Sequence, residues 1–204
     1  MSLGALLALS YFLGSIPTGL LLTRVRGIDI RKSGSGNIGF TNVMRVAGKD
    51  RAGKIIGFLT LAGDMGKGAL AVRIAFHQGL PLAPALAGMA VFLGHIFSIW
   101  LRGRGGKGVA TGLGVSLGIN PALGALVCLP WLLLFLATRT SSLASLGSFA
   151  LMPLLAFLWQ TFLPSPIRTL PPYTIWLYAA MTALVFLRHR ENISRLIKGQ
   201  EGRI

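Results

Sequence analysis

Long uncharged runs alternate with short basic segments along the whole chain. Residues 2–23 carry no charge and read as a first membrane span, about Ser2–Thr23, with a kink expected at Pro17 between Gly14 and Gly19. Further spans are read at about Ile55–Phe76, Leu82–Leu101, Leu143–Leu163 and Tyr173–Leu187. The stretch from Val109 to Thr138 is 30 residues without a charge, broken by Asn120-Pro121. Its first piece, about 11 residues at about 1.5 Å each, is too short to cross a hydrocarbon core of about 30 Å. The expectation is a short buried helix followed by a longer span to Ala137.

The pattern therefore predicts an all-α, polytopic integral membrane protein. It has seven transmembrane helices, one of them short, in a single domain over residues 1–204. Broken at Asn120-Pro121, the chain places seventeen of its 20 Lys and Arg on one face, taken as cytoplasmic by the positive-inside rule. Arg24 and Arg26 follow the first run, whereas a cleaved signal peptide has its positive end first. A retained first span, an outer N-terminus and a cytoplasmic C-terminus are expected. Tyr173, Trp176 and Tyr178 suit an interfacial belt.

Composition agrees with this reading. Of 204 residues, 53% are hydrophobic and 12% charged, and mean hydropathy is +0.69. The net charge of +15 would suggest nucleic acid in a soluble protein. Here the aromatic residues lie in the apolar runs, apart from the basic ones, so no nucleic-acid partner is expected. One cysteine, Cys128, excludes an intrachain disulfide and a cysteine zinc cluster.

Candidate chemistry sits in the polar segments. Ser33-Gly-Ser-Gly-Asn-Ile-Gly-Phe-Thr-Asn-Val-Met-Arg45 combines three glycines, five uncharged polar side chains and an arginine. Its amides are expected to form an anion-binding nest, with Thr41 or Asn42 capping a short helix through Arg45. Arg102-Gly-Arg-Gly-Gly-Lys-Gly108 is a second glycine-rich basic loop. It fails the nucleotide phosphate-loop pattern, because Leu101 and Gly108 fall where Gly and Ser or Thr are needed. It can still bind an anion through amides, Arg104 and Lys107. Thr138–Ser142 is a hydroxyl-rich turn, and Arg188-His-Arg-Glu-Asn192 follows the last span.

These four segments converge on one face. They lack the paired carboxylates of an acid–base hydrolase or a Mg²⁺ site, so no metal is expected. The set suits one or two phosphorylated substrates, one of them lipid or fatty acyl. Asp64 and Lys67 share a helical face inside the second span, each costing about 2.5–3.5 kcal/mol at mid-membrane unless paired. Whether that pair and His95 pack or bind substrate stays open.

Gly34-Ser-Gly-Asn-Ile-Gly-Phe-Thr-Asn42, Gly105-Gly-Lys-Gly-Val-Ala-Thr111 and Arg188-His-Arg-Glu-Asn-Ile193 resemble the three motifs of the bacterial acyl-phosphate:glycerol-3-phosphate acyltransferases. Their order, their spacing and the total length match. Gly14-Ser-Ile-Pro-Thr-Gly19 and Asp64-Met-Gly-Lys-Gly68 resemble family features as well, and Phe40 departs from the small residue expected at its place. The resemblance implies a seven-helix enzyme of the bacterial cytoplasmic (inner) membrane with its active site on the cytoplasmic face. It implies transfer of a fatty acyl group from acyl phosphate to the 1-hydroxyl of glycerol 3-phosphate, giving lysophosphatidate and phosphate without a cofactor.

Under that reading His189, Ser35 and Lys107 are the expected catalytic residues. Gly36, Asn37, Thr41, Asn42, Arg45, Gly105, Gly106, Ser142 and Asn192 are expected to bind substrate. Arg45 and Lys107 neutralise phosphate charge. His189, titrating near neutrality, orients or deprotonates the glycerol hydroxyl. Membrane lipid surrounds the chain, and the functional unit is expected to be a monomer. The competing readings are a transporter of an anionic phosphorylated metabolite, a thioester-dependent acyltransferase with His95 as base, and a non-catalytic anchor.

Overall fold

A computed structural model describes residues 1–164, 170–171 and 173–203. Most of the expected outer loop Pro164–Pro172, Arg168 included, lies outside the described residues. Among the described residues the chain is all helical: α1 (Leu3–Ser15), α2 (Thr18–Arg24), α3 (Phe40–Ala47), α4 (Arg51–Phe76), α5 (Ala83–Ile96), α6 (Val109–Ile119), α7 (Pro121–Thr138), α8 (Ser141–Phe162), α9 (Thr174–Arg188) and α10 (Arg190–Ile197). Among these residues four helical segments are long and apolar enough to cross a membrane: Arg51–Phe76, Ala83–Leu101, Pro121–Thr138 and Ser141–Phe162. A fifth span results if α1 and α2 count as one. α6 and α9 are shorter apolar helices.

The expected kink at Pro17 is a full break, with α1 and α2 meeting at 41°. Proline supplies no amide to the helix ladder, so carbonyls at the break need other donors. Ser98 Oγ donates to the Ser15 carbonyl at 2.5 Å. Lys67 Nζ donates to the Ile16 carbonyl at 3.0 Å. Lys67 also pairs with Asp64 at 2.8 Å, with both side chains buried. Asp64 and Lys67, the buried charged residues of α4, thus lie inside the bundle, where an ion pair closes the break between two helices.

The uncharged run of residues 109–138 divides as its sequence predicts. Pro121 opens α7 where its missing amide costs nothing, and Asn120 Oδ1 caps it by accepting from Ala122 N and Leu123 N, both at 3.0 Å. α6 is buried along most of its length. Its approach to α4 uses small residues: a Cβ on Gly114 would lie 1.9 Å from the Met65 carbonyl oxygen, and one on Gly68 2.3 Å from that of Thr111. In lipid, such close backbone packing drives helix association, since burying apolar surface gains little there.

The main core joins Val72, Phe92, Val115, Phe149, Tyr178 and Met181. Tyr178 is fully buried. It therefore leaves the interfacial belt expected for it, whereas Trp176 is 75% exposed. A second cluster of Leu20, Ile30, Ile38, Val43 and Ala47 lies beneath the Ser33–Arg45 segment and seats it on the bundle.

Candidate functional site

The glycine-rich loop of residues 33–39 is built around one side chain. Asn42 is buried and faces back into the loop from the first turn of α3. Its Nδ2 donates to the carbonyls of Asn37 (2.8 Å), Ser33 (3.0 Å) and Ile30 (3.3 Å). Its Oδ1 accepts from Ser35 N at 2.9 Å. Gly34 and Gly36 hold positive φ, 59° and 69°, which lets the loop turn tightly around that amide. The cap of α3 is Gly39, without a side-chain bond, rather than Thr41 or Asn42. The Asn42 side chain is spent on the preceding backbone. Thr41 instead shares a hydrogen bond of 2.8 Å with Ser141 Oγ, tying the loop to the start of α8.

Four of the loop amides expected to cradle an anion have partners within the protein. Ser35 N is held by Asn42, and Gly36 N donates to the Ser33 carbonyl. Gly105 N and Gly106 N donate to the carbonyls of Ile96 and His95, both at 3.0 Å. The second loop therefore satisfies the last carbonyls of α5, which a helix end leaves unpaired. Gly105 and Gly106 are required by contact: a Cβ on Gly105 would lie 2.0 Å from the His95 carbonyl oxygen.

These elements enclose a cavity of about 880 Å³. Its polar end is bordered by Ser35, Asn37, Thr41, Arg45, Lys107, Ser142, His189 and Asn192. Eight of the twelve expected site residues therefore meet there, drawn from all four polar segments. Gly36, Asn42, Gly105 and Gly106 stand behind the wall. From the polar end an apolar arm runs between α4, α6 and α7, along Leu61, Met65, Leu113, Leu117, Leu129 and Leu132. Asp64 and His95 also border the cavity.

Lys107 Nζ donates to Asn192 Oδ1. Burial pulls its pKa down to about 8, opposed by the nearby carboxylate of Glu201 and reinforced by the charge of Arg195. His189, at the joint of α9 and α10, has its Nδ1 2.8 Å from the Val185 carbonyl oxygen. Burial, reinforced by the charge of Lys107, lowers its pKa to about 4. A neutral imidazole beside an ammonium is the result.

Sequence reasoning missed the tail. Past α10, Gly199 turns with φ 67°, and Gln200 N reaches back to the Arg195 carbonyl at 2.8 Å. That turn lays Glu201 into the rim. Its carboxylate accepts from Ser142 Oγ (2.8 Å), Asn192 Nδ2 (2.5 Å) and Arg195 Nε (2.6 Å). Burial opposes its ionisation, but these three donors outweigh it and hold the carboxyl below its ordinary value. The signal was present in Gly199 two residues before Glu201, with Arg195 one helical turn beyond Asn192.

Such a cavity, with Arg45, Lys107 and Arg195 beside Glu191 and Glu201 at its polar end and an apolar arm at the other, accommodates an amphipathic anion. The family model for glycerol-3-phosphate acyltransferases matches residues 4–199. A glycerol-3-phosphate acyltransferase of Jannaschia sp. is 45% identical over 99% of this chain and 93% of its own length. That of Nitrobacter winogradskyi is 46% identical over 97% and 93%. Among solved structures, the crystal structure of PlsY, an integral membrane glycerol 3-phosphate acyltransferase, matches in its glycerol 3-phosphate form with TM-score 0.88 and 34% identity, covering 100% of this chain and 96% of that one. Its lysophosphatidic acid form matches with TM-score 0.86. The chain belongs to the glycerol-3-phosphate acyltransferase family.

Proposed function

We propose that this enzyme acylates the 1-hydroxyl of glycerol 3-phosphate using acyl phosphate, releasing lysophosphatidate and inorganic phosphate. The observation that carries the reading is the join between the polar end of the cavity and its apolar arm. An acyl phosphate has that same division, with a charged head and an aliphatic tail. The donor is already an activated mixed anhydride, so the site needs chiefly to hold two phosphates and orient one hydroxyl.

Arg45 and Lys107 hold phosphate charge, with Ser35, Asn37, Thr41, Ser142 and Asn192 as polar partners. His189 takes the hydroxyl proton as the alkoxyl oxygen attacks the acyl carbon. The bond from that carbon to the phosphate oxygen then breaks, and Lys107 stabilises the departing phosphate. The acyl tail lies along Leu113, Leu117 and Leu129. No cofactor or metal enters this scheme.

The reading includes seven spans, counting the bent pair α1–α2, the short α6 and α9 with the four long helices. It places the N-terminus outside, and the site, with the C-terminus, at the cytoplasmic face of the bacterial inner membrane. The charge bias supports that orientation. The functional unit is read as a monomer.

The test uses purified protein, labelled glycerol 3-phosphate and palmitoyl phosphate, with palmitoyl-CoA in a parallel reaction and no added metal. Lysophosphatidate and phosphate should appear together with the acyl phosphate alone. Product from the thioester alone would overturn the donor assignment.

A further inference from the structure

His95 lies at the inner end of α5, 4% exposed. Its Nδ1 is 3.6 Å from Asp64 Oδ1, the same oxygen that meets Lys67 Nζ at 2.8 Å. Lys67 is itself fixed by the Ile16 carbonyl at the α1–α2 break. The imidazole therefore faces a carboxylate whose place is set by α4 and, through Lys67, by the α1–α2 break.

The other edge of the ring meets the second glycine-rich loop. A Cβ on Gly106 would sit 2.2 Å from His95 Nε2 and 3.0 Å from Cε1. No side chain other than hydrogen fits there, so ring and loop backbone fix each other. Gly106 N donates to the His95 carbonyl, and Arg188 Nη2 donates to the Gly105 carbonyl at 3.2 Å from the far side. The next residue is Lys107, whose ammonium enters the cavity and meets Asn192. A lysine side chain is a flexible four-carbon stem, so its ammonium is placed only as well as its backbone is held.

We propose that His95, oriented by the Asp64–Lys67 pair, is a positioning residue that sets the backbone at Gly106 and thereby aims Lys107 at the substrate phosphate. The proposal rests on Lys107 binding that phosphate. It assigns a use to the one acidic and two basic groups buried between α4 and α5, and it makes His95 a support for the site rather than its base.

The experiment is steady-state kinetics of the full-length enzyme in detergent, varying glycerol 3-phosphate at saturating acyl donor. Melting curves confirm that each variant is folded. His95→Ala and Gly106→Ala should each raise KM for glycerol 3-phosphate at least about tenfold, with any fall in kcat smaller than that of Lys107→Ala, which loses the stabilisation of the departing phosphate outright. In the double variant the new methyl occupies space the imidazole has left, so its KM should fall well below the product of the two single effects. Asp64→Asn should shift KM in the same direction. His95→Gln gives a second reading should the alanine variant fail to fold, and should lie between it and the parent.

An unchanged KM in folded His95 variants, a collapse of kcat at constant KM, or independent multiplication in the double variant would each overturn the proposal. Lys107→Ala separates the two levels. If it impairs phosphate binding while the His95 variants do not, only the positioning role falls. If it has no effect, the phosphate role of Lys107 falls and the positioning role with it.

Discussion

The Nδ1 of His189 lies 2.8 Å from the carbonyl oxygen of Val185, one turn earlier on α9. A carbonyl oxygen only accepts, so Nδ1 carries the proton, and the lone pair of the neutral ring resides on Nε2. His189 borders the cavity, and its lowered pKa keeps it neutral at physiological pH. Tautomer and charge state are thus both set before substrate arrives.

Replacing His189 tests whether that lone pair is used. A positioned general base contributes about 10²–10⁴-fold to rate, so His189→Ala should lower kcat by at least about 100-fold. His189→Gln should be as slow, because its amide cannot take up a proton. Melting temperatures should stay close to the parent's, since the side chain makes one hydrogen bond. Turnover within about threefold of the parent would remove His189 from the chemistry.

Under the proposed scheme Lys107 should set the alkaline limit. With its pKa drawn down to about 8, the ammonium loses its charge as pH rises through that value, and phosphate binding weakens with it. The pH profile of kcat/KM, which reports the free enzyme, should fall above about pH 8. In Lys107→Arg the guanidinium stays charged throughout, so that limb should vanish even if the absolute rate drops. An identical alkaline limb in the arginine variant would assign it to another group.

Much of this was legible in the chain, for definite reasons. Asn120-Pro121 is a cap followed by the residue best tolerated at a helix start, so the division of residues 109–138 could be read directly. The bias of Lys and Arg toward one side brought the four polar segments together without any coordinates. Side-chain direction was less accessible. Tyr178 looked interfacial by type, but it shares a buried stripe with Thr174, Leu177, Met181 and Val185, a helical spacing that outranks residue type. The loop glycines suggested free amides, yet helix α5 presents unpaired carbonyls that claim Gly105 and Gly106 first. Such competition depends on where two segments far apart in sequence meet.

Asn42 gives a test of the loop that does not depend on any substrate contact. It donates three hydrogen bonds to carbonyls and accepts one from an amide. Asn42→Asp has the same shape but turns the donor into an acceptor, setting negative charge against three carbonyl oxygens. It should therefore damage the enzyme at least as much as Asn42→Ala, which only removes the contacts. Limited proteolysis should cut both variants within residues 33–39 faster than the parent. Aspartate near wild type in activity would show that the loop is held elsewhere.

Glu201 is where the tail bears on the site. Ser142 and Asn192 both donate to its Oε1, while Arg195 donates to Oε2. Hydrogen bonds to a charged group are worth about 1.5–3 kcal/mol each when buried. The Arg195 side chain is 42% exposed, so solvent screening cuts its share to about 1 kcal/mol or less. Glu201→Gln retains one carbonyl oxygen for Ser142 and Asn192 but loses the ion pair. Glu201→Ala loses all three contacts and frees the tail. Detergent melting temperatures should therefore fall in the order parent, glutamine, alanine, with the larger step at alanine. KM for glycerol 3-phosphate should rise in the alanine variant, because Asn192, which also receives the Lys107 ammonium, loses its second fixed partner. If Glu201→Ala melts and turns over like the parent, the tail merely rests on the rim, and Asn192 is positioned by Lys107 alone.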